Sequence, residues 1–322
     1  LSLGSFFVYK LAENLLKNKT LALIFAFVYL MFPAVQYNNL YDFHPVSLAT
    51  TFLLAAFYFL TTKKFKWTIV FLLLASLSKE QVWLIAALFG GYIFFQNRNN
   101  SKKILGIAVF TISISMFYYL VWHAIPQSRG KEHFALAFYS EFGKNPTSII
   151  KNIIFSPQKT ANIVFQENKI NYLKQLFGPL GFLSILSPIH LIFAIPDLGI
   201  NLLSKNTSLH QIYYQYTSTI TPFIFISTIY GTKNLMMIFP KLPKAIISLY
   251  LLISILYYAH SLGPMPLSKK SNIKMFTQPQ MNRETIDLFL SQVPYEYFVS
   301  ATNNLGSHLS QRQKITTIPD GI

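Results

Sequence analysis

The sequence predicts an all-α bundle of about nine to ten membrane-spanning helices, followed by the start of a small external α/β domain. Three observations carry that expectation. Residues 1–263 form a string of apolar blocks such as LALIFAFVYLMFPAVQ, VSLATTFLLAAFYFL and ILGIAVFTISISMFYYLVW. The gaps between blocks alternate between lysine-loaded (TTKKFK, QNRNNSKK) and nearly lysine-free (YNNLYDFHP). After Gly263 the sequence turns polar and loses the long apolar runs. Lipid accepts apolar helices because their backbone groups are satisfied internally, and the lysine bias orients them.

Composition narrows the class further. Hydrophobic residues make up 52% of the chain and charged residues only 12%, an unusual balance for a soluble protein of 322 residues. A net charge of +16 invites a nucleic-acid reading. Many of the lysines, however, lie in short loops flanking apolar blocks, where they anchor topology. Membrane lipid is therefore the expected partner, with no nucleic acid and no particular protein indicated. The absence of cysteine excludes disulfides, thiolate metal sites and thiol catalysis. The chain begins at Leu1 without an initiator Met or a charged leader and stops after PDGI. This predicts an internal piece of a longer protein, with no signal peptide.

Taken in order, Leu1 to Ala12 reads as the end of a span leading into the loop ENLLKNKT. Blocks follow at 20–36, 45–61, 67–78, 82–95 and 104–122. Several fall short of the ~20 residues that an upright span needs, so they borrow flanking polar residues. Pro45 suits the first turn of a helix, and Pro33 a kinked helix end. An external loop occupies 123–174, with amphipathic pieces such as PTSIIKNIIF. Blocks at 170–187 and 188–204 are divided by Ser187-Pro188, and the second is broken again at Pro196-Asp197. Blocks at 216–231 and 245–262 complete a membrane domain over 1–263.

Alternating these spans puts Lys17, Lys19, Lys63, Lys64, Lys66, Arg98, Lys102, Lys103, Lys233, Lys241 and Lys244 on one side. Glu13 is the acid that accompanies them; the other ten acids fall opposite. The lysine side is then cytoplasmic in a multi-pass cell-membrane protein, with an extracytoplasmic C-terminal segment. The assignment needs two crossings within 170–204, because a single crossing would invert everything after it. Residues 264–322 read as a partial α/β domain: a helix in NRETIDLFLSQVP, then strands in YEYFVSAT and KITTIP.

Unusual polar groups gather at the outward helix ends. YDFHP supplies Asp42 and His44, SLSKEQ supplies Lys79 and Glu80, and IPDLGINLLS supplies Asp197 and Asn201. LHQIYYQY supplies His210, Tyr213, Tyr214 and Tyr216. Ionisable groups at membrane depth are costly and point to function. The plainer readings are helix caps for Asp42 and His44, an exposed turn pair for Lys79 and Glu80, and an aromatic belt for the tyrosines. His190, inside an apolar run, reads as a packing residue. His123, Arg129, Lys131 and His133 are either a phosphate-binding stretch or a solvated loop. No glycine-rich phosphate loop, HExxH, GxSxG or dinucleotide fingerprint is present, so any reaction needs an already activated substrate.

The order of these motifs resembles a known family. DFHP, then SP…PDLGINLLS, then H…Y.Y, with the tail YFVSATNNLGSHLSQRQKITTIPDG, is similar to the bacterial and archaeal membrane family called domain of unknown function 2079. The resemblance covers essentially the whole chain. It implies kinship with the GT-C glycosyltransferases, membrane enzymes that take sugars from polyprenyl-phosphate donors at the external face. It also implies that an N-terminal span and first external loop, bearing the principal catalytic acid, lie upstream of Leu1. The family's acidic residue after the Lys-Glu pair is Gln81 here, which weakens a metal site in that turn and leaves a divalent ion open. On this resemblance Asp42, His44 and Glu80 are candidate catalytic groups. Lys79, Arg129, Lys131, Asp197, His210, Tyr214 and Tyr216 are candidate substrate contacts. The function implied is transfer of a sugar from a lipid-phosphate carrier to an external acceptor. A transporter or flippase of lipid-linked sugars is the alternative, and a non-catalytic membrane scaffold the third.

Overall fold

Polar residues at the edges of the apolar blocks start and stop the helices. The first, α1 (Gly4–Leu16), ends at Lys17, whose φ of 50° turns the chain. It runs past the expected loop start because Glu13 is held by Tyr9 and Lys10 one turn earlier, at 3.0 and 3.2 Å. Asn18 then opens α2 (Lys19–Met31) by accepting the Leu21 N–H at 2.8 Å. Pro33, which has no N–H to continue the ladder, starts α3 (Pro33–Leu40), bent 46° from α2. Pro45 precedes α4 (Val46–Thr61), and α5 (Phe65–Ser76) and α6 (Val82–Gln96) follow. Asn99 caps α7 (Asn100–Tyr119), which continues through a wider turn at Leu120–Ala124 into α8 (Ile125–Arg129).

The computed structural model describes residues 1–129, 134–143 and 145–318. Three short helices cross the polar connection: α9 (Pro146–Phe155), α10 (Pro157–Val164) and α11 (Glu167–Phe177). The helix expected over 170–187 stops at Phe177. From Gly178 to Ala194 the chain runs as short 3-10 turns before α12 (Ile195–Leu203). Gly181 and Phe182 both take left-handed φ values, 59° and 56°, which end any helix. A Cβ on Gly181 would sit 2.3 Å from the Tyr250 ring, so the close approach also requires glycine. Two long helices, α13 (Thr221–Ile238) and α14 (Lys244–Leu262), complete this part.

Broken backbone inside a bundle must find partners, and α13 and α14 supply them. The Ser227 hydroxyl lies 2.8 Å from the carbonyls of both Ser184 and Ser187. Asn234 donates to Leu186 O at 2.8 Å, Ser254 to Gly178 O at 2.9 Å and Tyr250 to Gly181 O at 3.0 Å. These contacts also trace the path of the segment. It descends beside α14, reaches the level of Asn234 near the far end of α13, and climbs back past His190, stacked on Tyr230 at 3.7 Å. Its two limbs therefore enter and leave at the same end of the bundle.

The distribution of polarity is that of a protein in lipid. Ser184, Ser227, Thr228 and Thr232 are fully buried, while Ile104, Ile107, Ile112, Leu249, Ile253 and Leu256 are exposed on α7 and α14. Asn100–Ser128 and Lys244–Leu262 are long and apolar enough to cross a membrane, and the bent pair α2–α3 makes a third such element. The helices α4, α5, α6 and the run Pro188–Leu203 are apolar but shorter. Gly90 and Gly106 bring α6 and α7 into backbone contact, since a Cβ on Gly106 would lie 2.7 Å from Gly90 O.

The chain divides into two units, Leu1–Ser271 and Asn272–Ile322. The second holds α15 (Lys274–Thr277), α16 (Arg283–Ser291), β1 (Val299–Ala301), α17 (Asn303–Gly306) and β2 (Ile315–Thr317). An i,i+4 pair, Arg283 to Asp287 at 3.6 Å, lies along α16. The strands are only three residues each and pair in parallel, Val299 opposite Ile315.

Candidate functional site

A buried polar hub fixes one end of the helical unit. Asn38 donates to Ser218 Oγ at 3.0 Å and accepts from Ser47 at 2.8 Å, while Thr50 donates to Ser218 O at 2.8 Å. These bonds lock the end of α3 and the start of α4 to the segment leading into α13. Hydroxyls and an amide suit this place because each finds a partner without carrying a charge.

Next to the hub an aromatic line joins residues distant in sequence. Tyr41 stacks on His44 at 5.6 Å and meets Tyr214 edge-on at 5.2 Å. Tyr214 lies 6.3 Å from Tyr216, over whose ring the Lys79 ammonium sits at 5.5 Å. His44 donates from Nδ1 to the backbone carbonyl of Asp42 at 2.8 Å, which makes Nε2 its basic nitrogen when neutral. Asp42 itself is exposed. Tyr213 belongs to a separate contact, edge-on to Tyr37 and 2.6 Å from the Lys270 ammonium.

Asp197 is the most unusual group here. It is 2% exposed, and its Oδ1 accepts from Gln81 Nε2 at 3.1 Å. Its Oδ2 is buried and closes no hydrogen bond among the described residues, although the Thr219 hydroxyl lies near enough to act on the carboxyl. Both Lys79 and Glu80 lie close enough to act on its charge. One helical turn on, Asn201 donates to Tyr172 Oη and to Tyr216 O, each at 3.0 Å. The four-residue spacing puts Asp197 and Asn201 on one face of α12.

His210 lies behind this face, 5% exposed. Asn168 donates to its Nε2 at 3.0 Å, and Nδ1 closes no hydrogen bond among the described residues. Burial first, and then the neighbouring Lys169 ammonium, hold the imidazole below the ordinary histidine pKa.

Contacts thus link His44, Lys79, Tyr214 and Tyr216, bring Gln81 to Asp197, and join Asn201 to Tyr216. Asp42 stands at the edge and Glu80 beside Lys79. Lys131 and the Arg129 side chain lie outside the described residues. Among the described residues, no three His, Asp or Glu side chains converge as a metal centre would need. Lys169, Asn168 and Tyr172 were not singled out by the sequence reading. The signal for Lys169 was present, since Lys169, Tyr172 and Leu176 fall on one face of α11 and all three are buried.

One protein-family model, described as a predicted membrane protein (DUF2079), matches residues 1–322. The chain belongs to the DUF2079 family. No curated protein and no solved structure matches it. What this DUF2079 site offers chemically is a buried carboxylate bonded by Gln81 on one oxygen, tyrosine faces, an amide, and ammonium and imidazole groups nearby. Such a set suits a ligand bearing hydroxyls and an anionic group.

Proposed function

We propose that this DUF2079 protein is a GT-C-like membrane glycosyltransferase moving a sugar from a polyprenyl-phosphate carrier to an external acceptor. The observation that carries the reading is Asp197, buried with one oxygen bonded to Gln81 and the other closing no hydrogen bond among the described residues, although the Thr219 hydroxyl lies near enough to act on it. A buried carboxylate oxygen in that condition is costly unless a ligand hydroxyl completes it. In the reaction, the acceptor oxygen attacks the anomeric carbon. The bond from that carbon to the phosphate oxygen breaks, and the phosphate leaves with the electron pair. The acceptor proton passes to a carboxylate base. We assign Asp197 to accept a substrate hydroxyl, with Gln81 holding it in place. Tyr214 and Tyr216 give the sugar an apolar face, and Lys79 places a positive charge beside them.

The lysine-rich helix ends are cytoplasmic in this reading, and the Asp197 end and the C-terminal unit are external. The two limbs over 170–203 count as two crossings, keeping about nine to ten in all.

The test uses the full protein with polyprenyl-phosphate sugars and candidate acceptors, reading release of polyprenyl phosphate. Asp197→Asn is expected to slow release by about ten- to a hundredfold while the protein stays folded, the loss of one hydrogen bond between a substrate hydroxyl and a charged group. Unchanged release would remove Asp197 from the reaction. The broken 3-10 segment inside the bundle favours a second reading, a transporter of lipid-linked sugar. Movement of intact donor across a vesicle bilayer without cleavage would establish that reading instead.

A further inference from the structure

Lys169 presents a problem that nothing in the sugar-transfer reading resolves. It is 2% exposed, yet among the described residues no ion pair engages its ammonium. Glu141, the carboxylate within electrostatic reach, pairs with Lys205 at 3.9 Å instead. A lysine buried without a counter-charge is expensive. Desolvation accordingly pushes its pKa below the ordinary lysine value, against the weaker opposite pull of Glu141.

The neighbouring residues settle which donors remain unused. Asn168 Oδ1 accepts the Lys169 backbone N–H at 3.0 Å, which turns the amide nitrogen of Asn168 toward His210 Nε2 at 3.0 Å. With Nε2 accepting, the proton of neutral His210 sits on Nδ1, the atom that is buried and closes no hydrogen bond among the described residues. Lys169 and His210 act on each other electrostatically, and the Asn201 backbone carbonyl also acts on the imidazole without closing a hydrogen bond to the buried Nδ1. Asn168 is exposed, which puts the pair just beneath the surface.

We propose that Lys169 and His210 form an anion subsite for a phosphate group, with the ammonium and the Nδ1–H both donating to phosphate oxygens. This rests on the sugar-phosphate reading for its ligand class and moves the phosphate contact from the Arg129–Lys131 stretch to the α11–His210 junction. Charge-assisted donation of this kind is the strong form of phosphate recognition. Both the headgroup of a lipid phosphate and a free phosphate ester share the chemistry.

Dodecyl phosphate and inorganic phosphate, titrated separately into the purified full chain in neutral detergent and followed by calorimetry, test the assignment. Dodecyl phosphate is expected to bind, and Lys169→Met to weaken it by about ten- to a hundredfold, the loss of one hydrogen bond to a charged group. His210→Gln is expected to weaken it less. Preference for dodecyl over inorganic phosphate makes the source lipid-borne; equal binding makes it a free phosphate. Thermal unfolding adds an independent reading. Without phosphate, Lys169→Met is expected to be at least as stable as the parent, because an unpaired buried charge has gone. Equal phosphate affinity in Lys169→Met, or a marked loss of stability, would overturn the subsite. Phosphate binding that depends on Lys169 in a protein that transfers no sugar would sink the transferase reading and leave the subsite standing. Sugar transfer with Lys169-independent phosphate binding would do the reverse.

Discussion

Replacing Gln81 by Met removes the amide that holds Asp197 while keeping nearly the same side-chain length. Asp197 Oδ1 has Gln81 Nε2 at 3.1 Å, Oδ2 closes no hydrogen bond among the described residues, and the residue is 2% exposed. The substitution therefore leaves the carboxyl group without that support in a place water scarcely reaches. A hydrogen bond to a charged group contributes about 1.5–3 kcal/mol net, and a near-isosteric swap adds little to that. We expect Gln81→Met to destabilise the chain by about 2 kcal/mol. In an Asp197→Leu background the same change should cost much less, because no carboxyl remains to be supported. The two differences, measured by denaturant unfolding in detergent, give a coupling energy of roughly 1.5 kcal/mol. Additivity within about 0.5 kcal/mol would refute the reasoning, since the two side chains would then be neighbours without mutual support.

Cysteines placed at Asn39 and Ser307 should both react with impermeant reagents on intact cells, and one at Asn100 should not; labelling of Asn100 but not Asn39 would reverse the orientation. Because burial lowers the His210 pKa, its unfolded state takes up a proton first as the pH falls. Stability should thus be full above about pH 6.5 and decline below it, and His210→Gln should flatten that decline in unfolding midpoints measured against pH. Gly106→Val should cost about 1–3 kcal/mol in thermal unfolding, because its Cβ would meet Gly90 O and Phe94 N, both at 2.7 Å. Gly91→Val, whose Cβ meets nothing within 4 Å, should stay within about 0.5 kcal/mol of the parent.

Local signals made much of the helical frame legible. Asn18 caps α2, Pro33 sets the bend and Pro45 precedes α4, each through a property of the residue itself. The sequence also marked out Lys79, Asp197 and Tyr216, because charged and aromatic groups between apolar blocks stand out against them. What it did not show depends on partners far along the chain. Gly178-Pro179, Gly181 and Ser187-Pro188 can each be absorbed at a helix end. That they dissolve a whole helix follows only once Ser227, Asn234, Tyr250 and Ser254 are in position to bond the freed carbonyls. Lys169 is similar. Its place on α11 was readable, but its burial depends on how that helix meets the 207–210 turn.

The broken segment also constrains the order in which the protein is made. Its carbonyls at Gly178, Gly181, Ser184, Leu186 and Ser187 are bonded by side chains lying 40 to 76 residues further toward the C-terminus. During synthesis these residues leave the ribosome well before their donors exist. Lipid gives an unbonded carbonyl no substitute, so the segment has to wait at the membrane surface, or in the shelter of the insertion machinery, until α13 and α14 arrive. Chains halted near residue 220 should accordingly remain protease-sensitive across 178–194, and chains extended beyond Leu262 should become protected there. Assembly of the Asp197 end, which hangs from the returning limb, would then be among the last events in biogenesis.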